Sequence, residues 1–473
     1  MKKKVDVVVI GAGSAGLAAL RQVEKTTDRF VLVNAGPLGT TCARVGCMPS
    51  KALIHVANEF HRSRSFSGLG ISGAERILCN IPQVMNHVRR LRDHFAGGMV
   101  EATRRLAGEN LVDGRAVILG ADCVRVNGVE YRTSKIIIAT GSRPIIQNSW
   151  REFSERILTS DNIFEQEDFP KRVAVIGLGT IGLELGQALS RLGIEIHGFT
   201  RGETIGGLSD PEVNRAALEA IGSEFPIHVQ TEAKVEKDLE GIRIHFGKES
   251  LIVDKILAAI GVEPNLQDLG LENLGIPLRG DGLPPFDPNT MQVADLPIFI
   301  AGDVNGENPV LHEALDEGFI AGLNSGFDVP KGFCRRTPLK IVFSDPQIAV
   351  VGQSFEQLKG VNCVVGEANF KGQSRARIEG RNRGILHIFV DAEAMRLLGA
   401  EMAVPAGEHL AHLLALAIQQ RMTAPEMLAM PFYHPAVEEG LRSALRDAMD
   451  KLPSAPSSRE LSLCESCPEE PLA

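Results

Sequence analysis

Two cysteines near the amino terminus have the residue type and spacing for redox chemistry. Cys42 and Cys47 are separated by four residues that include Arg44 and Gly46. Five residues of regular helix advance about 7.5 Å, which exceeds the roughly 6.8 Å limit between the Cα atoms of a disulfide. The segment is therefore predicted to be irregular at its first turn, where Gly46 and Pro49 suit a break. The helix dipole and Arg44 would favour the thiolate, so the pair is predicted to be redox-active.

Two other interpretations of these cysteines are ordinary thiols at a helix start and a metal site. No Cys or His lies at zinc spacing near the pair, so no metal site is predicted. A second pair, Cys464 and Cys467, could relay electrons from the first pair to a large substrate, or could belong to an inert tail. Eight cysteines in 473 residues are too few for a disulfide-stapled secreted scaffold.

Two segments share the order strand, glycine-rich turn, helix, strand. Apolar β-branched runs at 7–10 and 173–176 precede the turns, and strand-like runs at 30–33 and 194–199 follow the helices. In such units the first glycine makes the turn, the second admits a diphosphate and the third lets helix and strand pack closely. The diphosphate then lies at the positive end of the helix. The glycines are Gly11, Gly13 and Gly16 in the first unit and Gly177, Gly179 and Gly182 in the second.

Composition excludes several classes of partner. The 50 basic and 59 acidic residues give a net charge of −9, and no long basic block is present. No nucleic-acid surface is predicted, because phosphate binding needs clustered Lys and Arg. The apolar stretch at 7–10 is too short for a signal peptide and no run of 18 apolar residues occurs. No membrane contact is predicted, and the chain is predicted to be cytoplasmic.

The order of motifs resembles that of the pyridine nucleotide–disulfide oxidoreductases, and most of all the dihydrolipoamide dehydrogenases, over about residues 5–450. The matching stretches are 7–16, 40–51, 139–144, 177–184, 259–261, 299–303, 310–318, 343–346 and 434–439. The resemblance implies an α/β fold with two Rossmann-like dinucleotide-binding domains and a C-terminal α+β dimerisation domain, in a homodimer. The predicted boundaries are an FAD-binding domain at 1–150 and 266–336, an NAD(P)-binding domain at 151–265, a dimerisation domain at 337–452 and a flexible tail at 453–473.

The resemblance also implies a set of catalytic residues. It makes Cys42 the thiol that exchanges with the substrate and Cys47 the thiol beside the flavin. A histidine and a glutamate would form an acid–base pair supplied by the other subunit; a His can take and return a proton near pH 7. The catalytic residues implied are Cys42, Cys47, Lys51, Glu184, His434 and Glu439.

The cofactors implied are FAD and either NAD or NADP. Asp303 resembles the aspartate that binds the ribityl chain of FAD. Asn34 stands where the family usually has an acid for the adenosine ribose, and its amide can still accept a hydrogen bond. Besides these and the six glycines, the positions assigned to the cofactors are Thr41, Lys51, Gly114, Thr140, Gly141, Ser142, Thr200, Arg201 and Gly261.

Two departures from the family pattern affect the second dinucleotide unit. An NAD enzyme normally has an acid at the position of Thr200, whereas a nearby arginine accommodates the 2′-phosphate of NADP. Arg201 could have this role or could be a solvated loop residue. Glu263 replaces a common family arginine, and the sequence provides no physical reason for the change.

The leading functional prediction is a dihydrolipoamide dehydrogenase-like enzyme. A dihydrolipoyl dithiol, on a lipoyl-bearing protein or a small molecule, would reduce the Cys42–Cys47 disulfide, the dithiol would reduce FAD, and FAD would reduce NAD(P). One alternative is an NADPH-dependent disulfide or metal-ion reductase that uses the C-terminal cysteines. Another is an FAD-binding electron-transfer component without disulfide turnover.

Overall fold

The computed structural model describes residues 2–452. Cys464 and Cys467, and with them the predicted tail, lie outside the described residues. The strands are β1 Lys2–Lys4, β2 Val7–Ile10, β3 Phe30–Asn34, β4 Leu111–Asp113, β5 Ala116–Gly120, β6 Cys123–Val126, β7 Val129–Arg132, β8 Lys135–Ile138, β9 Ser142–Pro144, β10 Ile157–Leu158, β11 Arg172–Ile176, β12 Glu195–Phe199, β13 Ile227–His228, β14 Lys234–Asp238, β15 Gly241–Phe246, β16 Glu249–Val253, β17 Lys255–Ala258, β18 Val262–Pro264, β19 Ile298–Ile300, β20 Leu339–Val342, β21 Gln347–Gly352, β22 Cys363–Asn369, β23 Ile385–Asp391 and β24 Leu397–Val404. The α-helices are α1 Ser14–Val23, α2 Thr41–Arg44, α3 Cys47–Arg62, α4 Ile81–Ala107, α5 Thr180–Arg191, α6 Pro211–Gly222, α7 Leu311–Asn324, α8 Ser374–Ile378, α9 Gly407–Gln419, α10 Ala424–Leu428 and α11 Glu439–Lys451.

The first glycine turn belongs to a parallel sheet with the strand order β19-β8-β2-β3-β4. Every residue of β2 is buried, as expected for a parallel strand covered on both faces. One face packs against α1 and α7, which approach so closely that a Cβ at Gly318 would lie 2.1 Å from the carbonyl oxygen of Ala15. The other face packs against the sheet β1-β7-β6-β5. The first turn is thus part of a three-layer unit.

The second glycine turn belongs to a parallel sheet with the order β10-β17-β11-β12-β13. Its faces pack against α5 and α6 on one side and against the antiparallel sheet β14-β15-β16 on the other. The same three-layer design therefore occurs twice. The predicted strand–turn–helix–strand units are both present; the sequence pattern predicts helices from Leu17 and Leu183, and they begin three residues earlier, at Ser14 and Thr180.

The C-terminal part is built on the antiparallel sheet β20-β21-β24-β23-β22, with α9 and α11 packed against it. Helical patterns in the sequence predict helices at 409–419 and 435–449; the first corresponds to α9, whereas the second begins only at Glu439, as α11. The preceding residues form a turn in which the Glu439 N–H bonds to the carbonyl of Ala436. The predicted fold class is confirmed, while the domain boundaries remain predictions. None of the helices within residues 2–452 has the length and apolar character needed to span a bilayer.

Candidate active site

Cys42 and Cys47 lie on two successive helices that are separated by a break. Cys42 is in the four-residue helix α2, and Cys47 is the first residue of α3. Gly46 between them has φ −122° and ψ −116°, outside the helical region, and a Cβ there would lie 3.1 Å from the Cα of Cys42. The predicted irregularity therefore lies at Val45 and Gly46. Pro49 is instead in the first turn of α3, where its missing N–H would have no helical partner.

The two thiols differ in acidity. The hydrogen bond between them raises the pKa of the Cys42 thiol well above its usual range. The same bond, together with the charge of Lys51, lowers the pKa of Cys47 from 9.0 to about 7. Lys51, and not Arg44 as the sequence suggested, is the cation with the largest effect on Cys47. The start of α3 also favours an anion, so the reduced pair carries its charge on Cys47 and its proton on Cys42.

Lys51 is held by a carboxylate from the second glycine-turn helix. Its Nζ lies 2.8 Å from Glu184 Oε2 and 4.6 Å from the centre of the Phe343 ring. Glu184 is only 4% exposed, and its Oε1 accepts a hydrogen bond from the backbone N–H of Phe343 at 2.9 Å. The structure thus joins Lys51 and Glu184 and adds Phe343 as a positioning residue. Phe343 belongs to the 343–346 motif, and no role was predicted for it from the sequence.

The predicted flavin-binding positions lie along one edge of the first parallel sheet. Asp303 follows β19, Gly141 follows β8, Gly11 follows β2, Asn34 ends β3 and Gly114 follows β4. These strands are neighbours in that order. Ligands of open α/β sheets bind outside the carboxyl ends of the strands, so five sequence-distant positions form one continuous edge.

Polar groups at this edge are available to a ligand with hydroxyl groups. Ser142 Oγ donates to Asp303 Oδ2 over 3.0 Å, and burial raises the pKa of Asp303. A carboxylate offers about four acceptor positions, so Asp303 can also accept from a polyol chain. Asn34 Oδ1 accepts from the backbone N–H of Ala12 at 3.3 Å, which fixes its side chain beside the glycine turn. Thr41 is the first residue of α2, next to the cysteine pair.

The first glycine triplet leaves room for a diphosphate at one position only. Gly11 has φ +113°, and a Cβ there would lie 2.1 Å from the carbonyl oxygen of Ala139. A Cβ at Gly16 would lie 1.9 Å from the carbonyl oxygen of Gly11. At Gly13 no described atom lies within 4 Å of the Cβ position, so this glycine opens the cradle at the start of α1. The cradle and the acceptors along the edge fit FAD.

The second triplet repeats these surroundings. A Cβ at Gly177 would lie 2.2 Å from the carbonyl oxygen of Ala259, and one at Gly182 would lie 1.9 Å from that of Gly177. The position in front of Gly179 is again open within 4 Å among the described atoms. A second dinucleotide, the nicotinamide cofactor, therefore fits at the start of α5.

The choice between NAD and NADP depends on the residues beside the second glycine triplet and remains a prediction. Thr200 follows β12, and its Oγ1 accepts from the N–H of Gly202 at 3.3 Å. The Arg201 side chain is 70% exposed, and its Nη2 lies 2.9 Å from Glu232 Oε1. This carboxylate would compete with a 2′-phosphate for Arg201. Gly261 follows β17 at the same edge and has φ +115°.

An ion pair explains Glu263. It lies opposite Arg143 in the ribbon formed by β9 and β18, and Arg143 Nε lies 2.9 Å from its Oε1. Arg143 Nη1 also donates to Asn265 Oδ1 at 2.9 Å. Asn265 in turn accepts from Thr140 Oγ1 and donates to the Thr140 carbonyl, at 2.8 and 3.0 Å. Asn265 therefore positions the turn after β8, a role that was not predicted from the sequence, because it depends on the pairing of β9 with β18.

His434 and Glu439 form a pair on the surface of the C-terminal part. His434 Nδ1 lies 3.0 Å from Glu439 Oε1, and the hydrogen bond from the histidine lowers the pKa of that carboxyl. The histidine side chain is 72% exposed, and the adjacent Tyr433 is 82% exposed. Within the same chain, the N–H of Ala436 also donates a hydrogen bond to Glu439 Oε2. The groups that act most strongly on Cys47 are Cys42, Lys51 and Glu184, all outside this pair.

Comparison with known protein families gives two matches that together cover most of this chain. Residues 5–318 match the model described as pyridine nucleotide-disulphide oxidoreductase, and residues 339–445 match the dimerisation domain of that family, which supports a homodimer. A dihydrolipoyl dehydrogenase from Thermus scotoductus is 30% identical over 93% of this chain and 97% of that enzyme.

Two solved structures show the same fold. LpdA from Mycobacterium tuberculosis has a TM-score of 0.82 at 22% identity, covering 93% of this chain and 99% of that one. A HOCl-induced flavoprotein disulfide reductase, RclA from Escherichia coli, solved as a Cu(II) complex, has a TM-score of 0.81 at 20% identity, covering 94% and 99%.

Proposed function

The chain belongs to the pyridine nucleotide-disulphide oxidoreductase family, and on that basis we propose that it oxidises dihydrolipoyl groups with NAD⁺ or NADP⁺ as the final acceptor. It is an FAD-dependent disulfide oxidoreductase of the dihydrolipoamide dehydrogenase type. The observation that carries the proposal is the thiol pair at the start of α3, with the pKa of Cys47 lowered to about 7. The substrate would be free dihydrolipoamide or a lipoyl-bearing protein.

The unequal acidity of the thiols supports Cys42 as the thiol that meets the substrate. A substrate thiolate that attacks the disulfide at Cys42 expels Cys47 as the leaving group, and the less basic thiol leaves faster. The second substrate thiol then attacks the mixed disulfide and releases Cys42. The products are a lipoyl disulfide and a reduced pair, so two electrons pass from the substrate to the enzyme.

The proton balance of this exchange calls for a base, and His434 is the proposed one. Glu439 fixes the imidazole through Nδ1, which leaves Nε2 to take the proton from a substrate thiol. Because the pair is exposed on its own chain, we propose that each cysteine pair is served by the partner subunit's His434.

The cofactors would be held by the two carboxyl edges. Gly13 and Asp303 would hold FAD, and Gly179 would hold the diphosphate of the nicotinamide cofactor. FAD held there would supply the two-electron chemistry that connects the Cys42–Cys47 dithiol with the nicotinamide. Lys51 and Glu184 would keep α3 in register with the second glycine-turn helix. We also propose that the protein is cytoplasmic, because Cys42 and Cys47 must cycle between the disulfide and the dithiol.

Steady-state assays on the purified FAD-loaded dimer test the proposal. Among the substrates tested, we expect dihydrolipoamide with NAD⁺ or NADP⁺ as the acceptor to give the highest kcat/KM. We expect no turnover in the Cys47→Ser variant. The reverse assays supply NADPH with lipoamide, glutathione disulfide or a metal ion. If dihydrolipoamide is not oxidised while NADPH reduces one of the other acceptors, the dihydrolipoyl assignment is wrong and the reductase alternative replaces it.

A further inference from the structure

Three ionisable side chains meet where the second three-layer unit touches the C-terminal sheet. His387 is on β23, Glu367 is on the adjacent strand β22, and Glu212 is in the first turn of α6. His387 Nε2 lies 3.4 Å from Glu367 Oε2 and 3.6 Å from Glu212 Oε2. One ligand-type atom from each residue lies within 4.8 Å of those of the other two. The cluster is separate from the cysteines and from both glycine turns.

The histidine of this cluster is buried and incompletely bonded. His387 is 4% exposed, and its buried Nε2 has no hydrogen-bond partner within residues 2–452. The two carboxylates are farther from it than the 2.7–3.2 Å of an ordinary hydrogen bond. Its other nitrogen, Nδ1, lies 2.7 Å from Asp210 Oδ2. Nε2 faces the two carboxylates, and when the ring proton is on Nδ1 its lone pair is directed towards them.

We propose that His387, Glu212 and Glu367 bind one divalent transition-metal ion, with Zn²⁺ as the ion that fits best and water completing the coordination. In a tetrahedral site with bonds of about 2.0–2.1 Å, adjacent ligand atoms are about 3.3 Å apart. The observed 3.4 and 3.6 Å from the imidazole nitrogen are close to that edge, and the third edge, between the two carboxylates, is at most 4.8 Å and would shorten on binding. One imidazole and two carboxylates suit Zn²⁺, whereas Mg²⁺ prefers oxygen ligands in an octahedral site.

The ion would also resolve an electrostatic problem. Three carboxylates, those of Asp210, Glu212 and Glu367, surround one imidazole, and a divalent cation would offset the excess negative charge. An entry path exists, because the side chains of Glu212 and Glu367 are 59% and 41% exposed. A carboxylate behind a ligating histidine is a usual feature of metal sites, where it fixes the tautomer and the ring orientation. Asp210 has that position here.

Neighbouring residues hold the ligands in place without an ion. Asp210 is the N-cap of α6 and accepts from the N–H of Glu212 at 2.9 Å. Glu401, which lies opposite His387 in the ladder, is fully buried and accepts from the N–H of Ser209 and Asp210 at 2.7 and 2.9 Å. The ion would therefore link α6 to strands β22 and β23 at a contact that these hydrogen bonds already hold together.

Calorimetric titration with Zn²⁺ tests the site in the full-length, FAD-loaded, oxidised dimer. A Cys334→Ser, Cys464→Ser, Cys467→Ser background removes the exposed thiol of Cys334 and the two C-terminal thiols, and oxidation of the Cys42–Cys47 pair removes two more. We expect one ion per chain, and binding weaker by at least about 10–100-fold in His387→Gln and in Glu212→Gln, since losing even a supporting partner has that effect. His245→Gln is the matched control: His245 Nε2 lies 3.3 Å from Glu236 Oε2, but within residues 2–452 no third His, Cys, Asp or Glu completes a cluster with this pair.

Co²⁺ supplies a second readout, because a tetrahedral site gives it strong visible absorption. The absorption should appear with the unsubstituted ligands and with His245→Gln, and should be lost in Glu212→Gln. Since Glu212 is 59% exposed, this variant decides the matter even if His387→Gln does not fold. No saturable binding of Zn²⁺, or unchanged affinity in Glu212→Gln, overturns the proposal.

Discussion

The hydrogen bond between the active-site thiols predicts different behaviour for two substitutions of Cys42. In Cys42→Ser the hydroxyl can still donate to the Cys47 thiolate, whereas in Cys42→Ala nothing donates. A hydrogen bond to a charged group contributes about 1.5–3 kcal/mol, and about 1.4 kcal/mol corresponds to one pKa unit. The pKa of Cys47 should therefore stay near 7 in Cys42→Ser and rise to about 8–9 in Cys42→Ala. The charge of Lys51 acts equally in both.

The pKa of Cys47 can be followed by absorbance in the FAD-loaded variants. Both leave Cys47 as a lone thiol, so no reductant is needed, and a thiolate beside the flavin should give a long-wavelength charge-transfer band. Because the thiolate is the absorbing form, the band should disappear as the pH falls through about 7 in Cys42→Ser and through about 8–9 in Cys42→Ala. Cys47→Ser is the control without a band. Equal midpoints would refute the role of the hydrogen bond, and no band in either variant would remove Cys47 from the flavin.

Three further outcomes are expected. His434→Gln should slow turnover of dihydrolipoamide by roughly 10²–10⁴ with FAD still bound; near-normal kcat would exclude it as the base. Arg201→Glu should lower the ratio of kcat/KM for NADP⁺ to that for NAD⁺, and Glu232→Gln, which frees the arginine, should raise it; an unchanged ratio in both would show that Arg201 is only solvated. Arg191→Met should lower the free energy of unfolding, at the lower end of about 3–5 kcal/mol, because it removes a buried guanidinium 2.6 Å from Glu224 and leaves that carboxylate only Gln187 and the longer contact with Arg383. Arg201→Ala, which removes an exposed ion pair, should leave the midpoint of thermal unfolding nearly unchanged.

The parts of the molecule that could be predicted from the sequence depend on local patterns. A β-branched run, a glycine turn and a helix follow one another within some twenty residues, so both dinucleotide units could be identified. The break at Gly46 followed from the length of a helix and the reach of a disulfide. Arg44 was the wrong cation, because the direction of a side chain beyond a helix break depends on tertiary packing and not on spacing. Lys51 lies on the same regular helix as Cys47, so its position relative to the thiol follows from helical spacing.

Other features depend on residues that are far apart in the sequence. His387, Glu212 and Glu367 come together only through the contact of α6 with the C-terminal sheet, and no spacing rule connects them. Glu263 had no explanation until the pairing of β9 with β18 placed Arg143 opposite it. Pairing between sequence-distant strands is set by the whole fold, so charge complementarity across such a ribbon is visible only afterwards.

The ribbon of β9 and β18 also bears on how proteins of this type can diversify. Val262 faces Pro144 in the ladder, so the chain leaves and re-enters at points about 4.5–5.5 Å apart. The segment 145–261 between them is an insertion whose two ends meet, and such a segment can be gained, lost or exchanged without opening the sheet that receives it. A replacement would have to keep the carboxylates of Glu184 and Asp210, through which the segment contacts Lys51 and His387. Nucleotide choice can therefore change without altering the sheet that binds the flavin, provided that these two contacts are kept.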